Sequence, residues 1–213
     1  MLSFPTPLRC AALISGGGRT VTNLVDRIKS GQLAAEIPIV IANRECAGVQ
    51  RLTDMGLTVE VMKRAEFADD EAHNKAIFDR IRQARVDVVL LAGYLARLII
   101  PHEFDRRVLN IHPALIPSFS GHGMYGDRVH AAVIERGCCV SGCTVHFCDD
   151  EYDHGPILVQ KAVPVLADDT PDSLAARVFE AECEAYPEAL ELLMSGPVEI
   201  RGHRVCSSPR NAD

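Results

Sequence analysis

Asn110-Ile111-His112-Pro113 sets an amide two residues from an imidazole. Side chains alternate along an extended segment, so Asn110 and His112 project to one side. Pro113 disfavours helical backbone at His112 and keeps it extended. The pair suits acyl transfer: an amide N–H stabilises a developing oxyanion, and an imidazole supplies a hydrogen bond or a proton. The plain alternative is a turn histidine without a role. Asp153 lies in the acidic turn Asp149-Asp150-Glu151-Tyr152-Asp153-His154-Gly155. A calcium loop is excluded, because His154 stands where glycine is required and Gln160 where a bidentate glutamate belongs. A solvated turn is one reading, and a carboxylate that orients His112 is the other.

Ser15-Gly16-Gly17-Gly18-Arg19-Thr20 joins an apolar run to a helical pattern. Backbone N–H groups at such a junction can surround an anion, which the helix dipole favours. No Gly-Lys-Ser/Thr follows, so it is not a Walker loop. Val21 replaces the third glycine of a dinucleotide fingerprint, and Asn43-Arg44 replaces its ribose-binding acid. A phosphate site or a tight strand–helix turn both fit. Glu182 shares a helical stripe with Leu174, Val178, Tyr186 and Leu190. A carboxylate there needs a cation or ligand, or it reaches out from the stripe edge.

The elements that must position these residues follow from pattern. Leu8 to Ile14, Ile37 to Ala42, Leu57 to Met62 and Val86 to Ala92 read as strands, with helical spacing between them. That alternation predicts right-handed crossovers and a parallel sheet covered by helices. After Val108–Ile111 the pattern changes. A Pro/Ser/Gly-rich loop covers 114–126, a helix runs from about Asp127 to Arg136, and strands at Val140 to Phe147 and Ile157 to Val165 have no helix between them. A long helix opens at Thr170-Pro171-Asp172, with Pro187 expected to kink or split it. Val198 to Cys206 reads as a hairpin around Gly202. The expected fold class is therefore α/β: a Rossmann-like parallel sheet in the N-terminal half continuing into a mixed sheet, helices on both faces. One domain is expected over 1–213, with halves at 8–110 and 111–213.

Composition narrows the function. A length of 213 residues with 47% hydrophobic and 24% charged residues fits a globular protein and excludes disordered, collagenous and coiled-coil chains. A net charge of −7 argues against a nucleic-acid binder, which needs a basic face. No apolar run spans a bilayer and the start lacks a basic n-region, so no membrane segment and no signal peptide are expected, and the location expected is cytoplasmic. No Cys-x-x-Cys occurs among the eight cysteines, so no zinc site is expected. Reduced, buried, hydrophobe-like cysteines are expected instead.

Taken in order, Ile14-Ser15-Gly16-Gly17-Gly18, Leu90-Leu91-Ala92-Gly93-Tyr94-Leu95, Leu109 to Pro117, Thr144-Val145-His146-Phe147 and Asp153-His154-Gly155-Pro156-Ile157 make the chain resemble the phosphoribosylglycinamide formyltransferases, a folate-dependent formyltransferase family. The resemblance runs from about Arg9 to Ser195 and implies the formyltransferase fold. It implies 10-formyltetrahydrofolate as co-substrate and formyl donor, with no metal, and glycinamide ribonucleotide as acceptor. The catalytic trio would be Asn110, His112 and Asp153. Phosphate and acceptor binding would fall on Gly18, Arg19, Thr20 and Glu182, and the folate pocket on Leu95, Ala96, Arg97, Leu98, Asn110, Asp149, Asp150 and Asp153. The partners implied are small molecules only, with no nucleic acid and no membrane, and the chain is a monomer or homodimer. Two departures stand out: Arg19-Thr20-Val21 replaces Ser-Asn-Leu, and His154 replaces a more usual Gly or Thr. The alternatives are a 10-formyltetrahydrofolate hydrolase or a non-catalytic nucleotide-binding module.

Overall fold

The structure is a computed structural model that describes residues 1–207. It divides into two compact units: Phe4–Leu109, and Asn110 onward together with Met1–Ser3. In the first, β1 (Leu8–Ile14), β2 (Ala35–Ala42), β3 (Val59–Val61) and β4 (Val88–Leu91) lie in the order β3-β2-β1-β4. All three pairings are parallel. Helices α1 (Arg19–Lys29), α2 (Ala47–Asp54) and α3 (Asp70–Gln83) fall between the strands. Central strand β1 is almost wholly buried, which is why it reads as an unbroken apolar run instead of alternating. β3 is shorter than the run Leu57 to Met62 suggests; its residues are only half-buried, as befits an edge strand.

The unit boundary cuts β5 (Val108–His112) between Leu109 and Asn110. The second unit adds α4 (Asp127–Glu135), β6 (Val140–Phe147), β7 (Ile157–Pro164), α5 (Pro171–Ser195), β8 (Val198–Arg201) and β9 (Arg204–Ser207). The order is β5-β6-β7-β9-β8. β6 and β7 are antiparallel, β7 and β9 parallel, and β8 and β9 form the expected hairpin. The fold is α/β with a mostly parallel, mixed sheet, as the alternation of elements implied.

Two expectations are corrected. Pro187 does not split α5, which runs unbroken from a Thr170/Ser173 capping box to Ser195. Proline there costs a helical hydrogen bond, but Pro187 is buried with Leu174, Val178, Tyr186, Leu190 and Leu193 on the face that packs on β6 and β7. Packing of that face outweighs the local penalty. The cysteines, none in a disulfide, are not uniformly buried. Cys10 and Cys143 sit inside strands and are buried, whereas Cys139 and Cys206 are exposed and the rest are intermediate.

Candidate active site

Asn110 and His112 stand two apart on β5 and both turn toward Asp153. The Asp153 Oδ2 atom lies 3.4 Å from His112 Nδ1 and accepts the Gly121 N–H at 2.9 Å. Its Oδ1 atom lies 3.4 Å from Asn110 Nδ2 and 3.6 Å from His146 Nε2. The sequence-predicted trio is therefore assembled around one carboxylate, inside one unit.

Hydrogen bonds decide which nitrogen does what. His112 Nε2 is 2.8 Å from the Phe119 carbonyl, which can only accept, so Nε2 carries a hydrogen. That leaves Nδ1 as the nitrogen facing Asp153. A neutral ring presents a lone pair to the carboxylate, and a protonated ring makes an ion pair. Burial pushes the His112 pKa down, against the upward pull of Asp153 and the Phe119 carbonyl; the net direction is down. Burial pushes Asp153 up, while the His112 charge and the Gly121 N–H pull it down; the net direction is down. Both side chains are nearly closed to solvent, at 4% and 11% exposure, so the electrostatics between them are little screened.

His146 is a residue to which the motif reading assigned no role. Its Nδ1 is 2.8 Å from the Phe147 carbonyl, so Nδ1 carries the hydrogen and Nε2 accepts. An acceptor there draws the NH₂ side of Asn110, at 3.2 Å. His146 thus orients the amide, whose second N–H is left with only the long contact to Asp153. The signal in the sequence is a histidine inside an apolar strand, since His146 is 1% exposed and a buried imidazole needs partners.

The turn 149–155 returns the chain from β6 to β7. A Cβ added at Gly155 would lie 1.9 Å from the Phe147 carbonyl, so only glycine lets the turn close there. Asp149 and Asp150 are exposed beside it. Glu182 is half-buried on α5 and engaged in an interaction; after burial, its charge is the next cause that pushes the Cys143 thiol up to about 12.

The other predicted residues lie in the first unit. Gly18 is the N-cap of α1 with φ 68, a conformation that glycine adopts without strain, and no acidic residue occupies the first turn. Arg19 is exposed and Thr20 is buried. The loop backbone is braced by guanidinium groups: Arg51 donates to the Gly17 carbonyl and Arg44 to the Ser15 carbonyl at 2.7 Å. Ser15 Oγ accepts the Leu95 N–H at 2.8 Å, and Asn74 Oδ1 accepts the Ile99 N–H at 2.8 Å. The irregular segment carrying Leu95, Ala96, Arg97 and Leu98 is pinned at both ends, while Leu95 stays exposed although apolar. Asn74 was not singled out from the sequence, because its role depends on a partner 25 residues away. Among the described residues no group of three or more His, Cys, Asp or Glu side chains is arranged to hold a metal.

Known proteins share this arrangement of chain. The family model described as "Formyl transferase" matches residues 8–190. The chain is 41% identical over 190 residues to the chloroplastic phosphoribosylglycinamide formyltransferase of Vigna unguiculata, covering 87% of this chain and 60% of that protein. It is 39% identical to the Arabidopsis thaliana protein of the same name, covering 92% of this chain and 69% of that one. The crystal structure of glycinamide ribonucleotide transformylase 1 from Symbiobacterium toebii superposes with a TM-score of 0.88 at 35% identity, over 94% of this chain and 93% of that one. With that much of the chain matched, it belongs to the formyl transferase family, among the phosphoribosylglycinamide formyltransferases.

Proposed function

We propose that this chain transfers the formyl group of 10-formyltetrahydrofolate to the amine of glycinamide ribonucleotide, a step of de novo purine biosynthesis. The observation that carries the reading is the convergence of Asn110, His112 and His146 on the Asp153 carboxylate. The acceptor amine attacks the formyl carbon and the carbonyl π pair moves to oxygen, giving a tetrahedral intermediate. The second N–H of Asn110 stabilises that oxyanion, and the His112 ring, neutral at rest, adds to it only when a proton reaches Nδ1 as charge builds on the oxygen. Asp153 takes the proton of the attacking nitrogen, directly or through water, and the proton reaches N10 as the C–N10 bond breaks. His146 keeps the Asn110 amide in the productive orientation, and the Phe119 carbonyl does the same for His112.

Gly18, Arg19 and Thr20 bind the acceptor phosphate in this reading, and Glu182 contacts the acceptor. Leu95 to Leu98, Asn110 and the 149–153 backbone, with Asp149, Asp150 and Asp153, line the donor site. The exposed apolar side chain of Leu95 supports that assignment. Residues 1–213 act as a single catalytic domain, as monomer or homodimer, without metal, nucleic acid or membrane, in the cytoplasm. Among the described residues no helix is long and apolar enough to cross a membrane.

The test follows tetrahydrofolate formation from 10-formyltetrahydrofolate with and without glycinamide ribonucleotide. Product only with the ribonucleotide is the expected outcome. Equal product without it makes the chain a hydrolase, and none in either case, from folded protein, makes it a binding module.

A further inference from the structure

The turn that carries Asp153 is held by side chains that the reaction above does not use. Asp149 Oδ1 accepts the Glu151 N–H at 3.0 Å, and its Oδ2 meets His154 Nδ1 at 2.8 Å. One carboxylate therefore ties residues 149, 151 and 154 together across Asp153. Asp153 itself has φ 55, in the left-handed region that a non-glycine residue adopts only when its surroundings hold it there. On the far side of His154, Gly155 is pressed against the Phe147 carbonyl. The His154 ring also meets the ring of His203, from the β8–β9 turn, edge to face with centroids 4.7 Å apart at 84°.

We propose that His154 is a positioning residue for Asp153: its bond to Asp149 and its packing on His203 hold the 149–155 turn in the form that presents the carboxylate to His112, His146 and the Gly121 N–H. The proposal rests on Asp153 being the carboxylate of the reaction. The groups facing His154 are Asp149 and Glu151 of its own turn and the His203 ring of the neighbouring hairpin. The hydrogen bond to Asp149, its charge and that of Glu151 raise the His154 pKa above the ordinary histidine value. A raised histidine contributes fully below its unfolded pKa, and the contribution is lost as pH rises through the folded value. Above that point the neutral ring keeps only a weaker, uncharged hydrogen bond to Asp149. The pair is partly exposed, at 47% and 35%, so the effect is modest.

The Gly121 amide reports where the Asp153 carboxylate is, because it donates to Oδ2. Its ¹H–¹⁵N shift and the His154 ring titration are followed over about pH 6 to 9 in the full chain and in His154→Gln, alongside kcat and both KM values. In the wild type, Gly121 moves with the His154 titration and kcat steps down on the alkaline side. In His154→Gln, the expected kcat is about two- to fivefold lower at the acid end, the size of one exposed ion pair, with both KM values held and the alkaline step gone. His203→Ala reproduces part of the loss. A Gly121 amide that ignores the His154 titration overturns the proposal. So does a variant with the wild-type pH profile, or one that only raises the KM of the donor. If the wild type transfers no formyl group, the functional reading fails and the Gly121 shift still judges the clamp.

Discussion

The two units prepare for chemistry in different ways. In the first, side chains such as Arg44, Arg51, Ser15 and Asn74 brace the backbone of the Gly-rich loop and of the segment after β4. In the second, the backbone does the bracing: the carbonyls of Phe119 and Phe147 and the amide of Gly121 fix the side chains that face one another. There the side chains are interlocked, because each Asp153 oxygen faces two neighbours, so a change at one of them disturbs the others.

The comparison breaks most sharply at His112. His112→Ala is expected to lower kcat by at least about a hundredfold while both substrates still bind, the loss typical of a positioned acid–base group. Near-normal turnover in single-turnover kinetics would mean the second unit does not work through this ring. Asp153→Asn should keep the fold and cost at least about tenfold in kcat, because the amide cannot accept a proton. An unchanged rate would put the essential carboxylate elsewhere.

Changes in the first unit should register in binding. Gly18→Ala puts a Cβ at φ 68, 3.1 Å from both Gly48 Cα and Leu52 Cδ1. A loss of about 1 kcal/mol or more in denaturant unfolding is expected, together with a raised acceptor KM. Arg19→Ala and Thr20→Ala should raise the acceptor KM by roughly three- to tenfold with kcat held, since phosphate binding is remote from the bond being formed. A fall in kcat at constant KM would dissolve the contrast between the units.

The smallest effect is on stability. Burial is the leading cause that lowers the pKa of both His112 and His130. The unfolded chain then binds more protons than the folded one near the ordinary histidine value of about 6.5, so stability rises with pH there and is lost as pH falls through that value. Thermal unfolding at about pH 7.5 and 5.5 should show the lower Tm at the acid end, and His130→Phe should shrink the difference. Equal Tm values would mean the two rings are not held neutral.

Much of this was legible from residue order. The unbroken apolar runs at Leu8–Ile14 and Val88–Leu91 mark buried parallel strands because a strand covered on both faces has no polar side to show. Asn110 and His112 were readable as a pair because alternation in a strand is local geometry. His146 and Asn74 were not, since what makes each matter is a partner far along the chain. The split expected at Pro187 failed for the same reason: its local cost is written in the sequence, and the face it packs against is not.

What the sequence determined by itself was which residue types stand at which spacing: the loop at Gly16–Gly18, the Asn110/His112 pair and the Asp153–Gly155 turn. Only the tertiary structure decided that Asp153 meets His112 at 3.4 Å, that the Phe119 carbonyl leaves Nδ1 as the nitrogen facing that carboxylate, and that His146 Nε2 meets the Asn110 amide. The physical reason is range. Propensity, periodicity and turn chemistry act over a few neighbouring residues, whereas hydrogen bonding and burial are set by whatever the fold brings close, however distant in the chain.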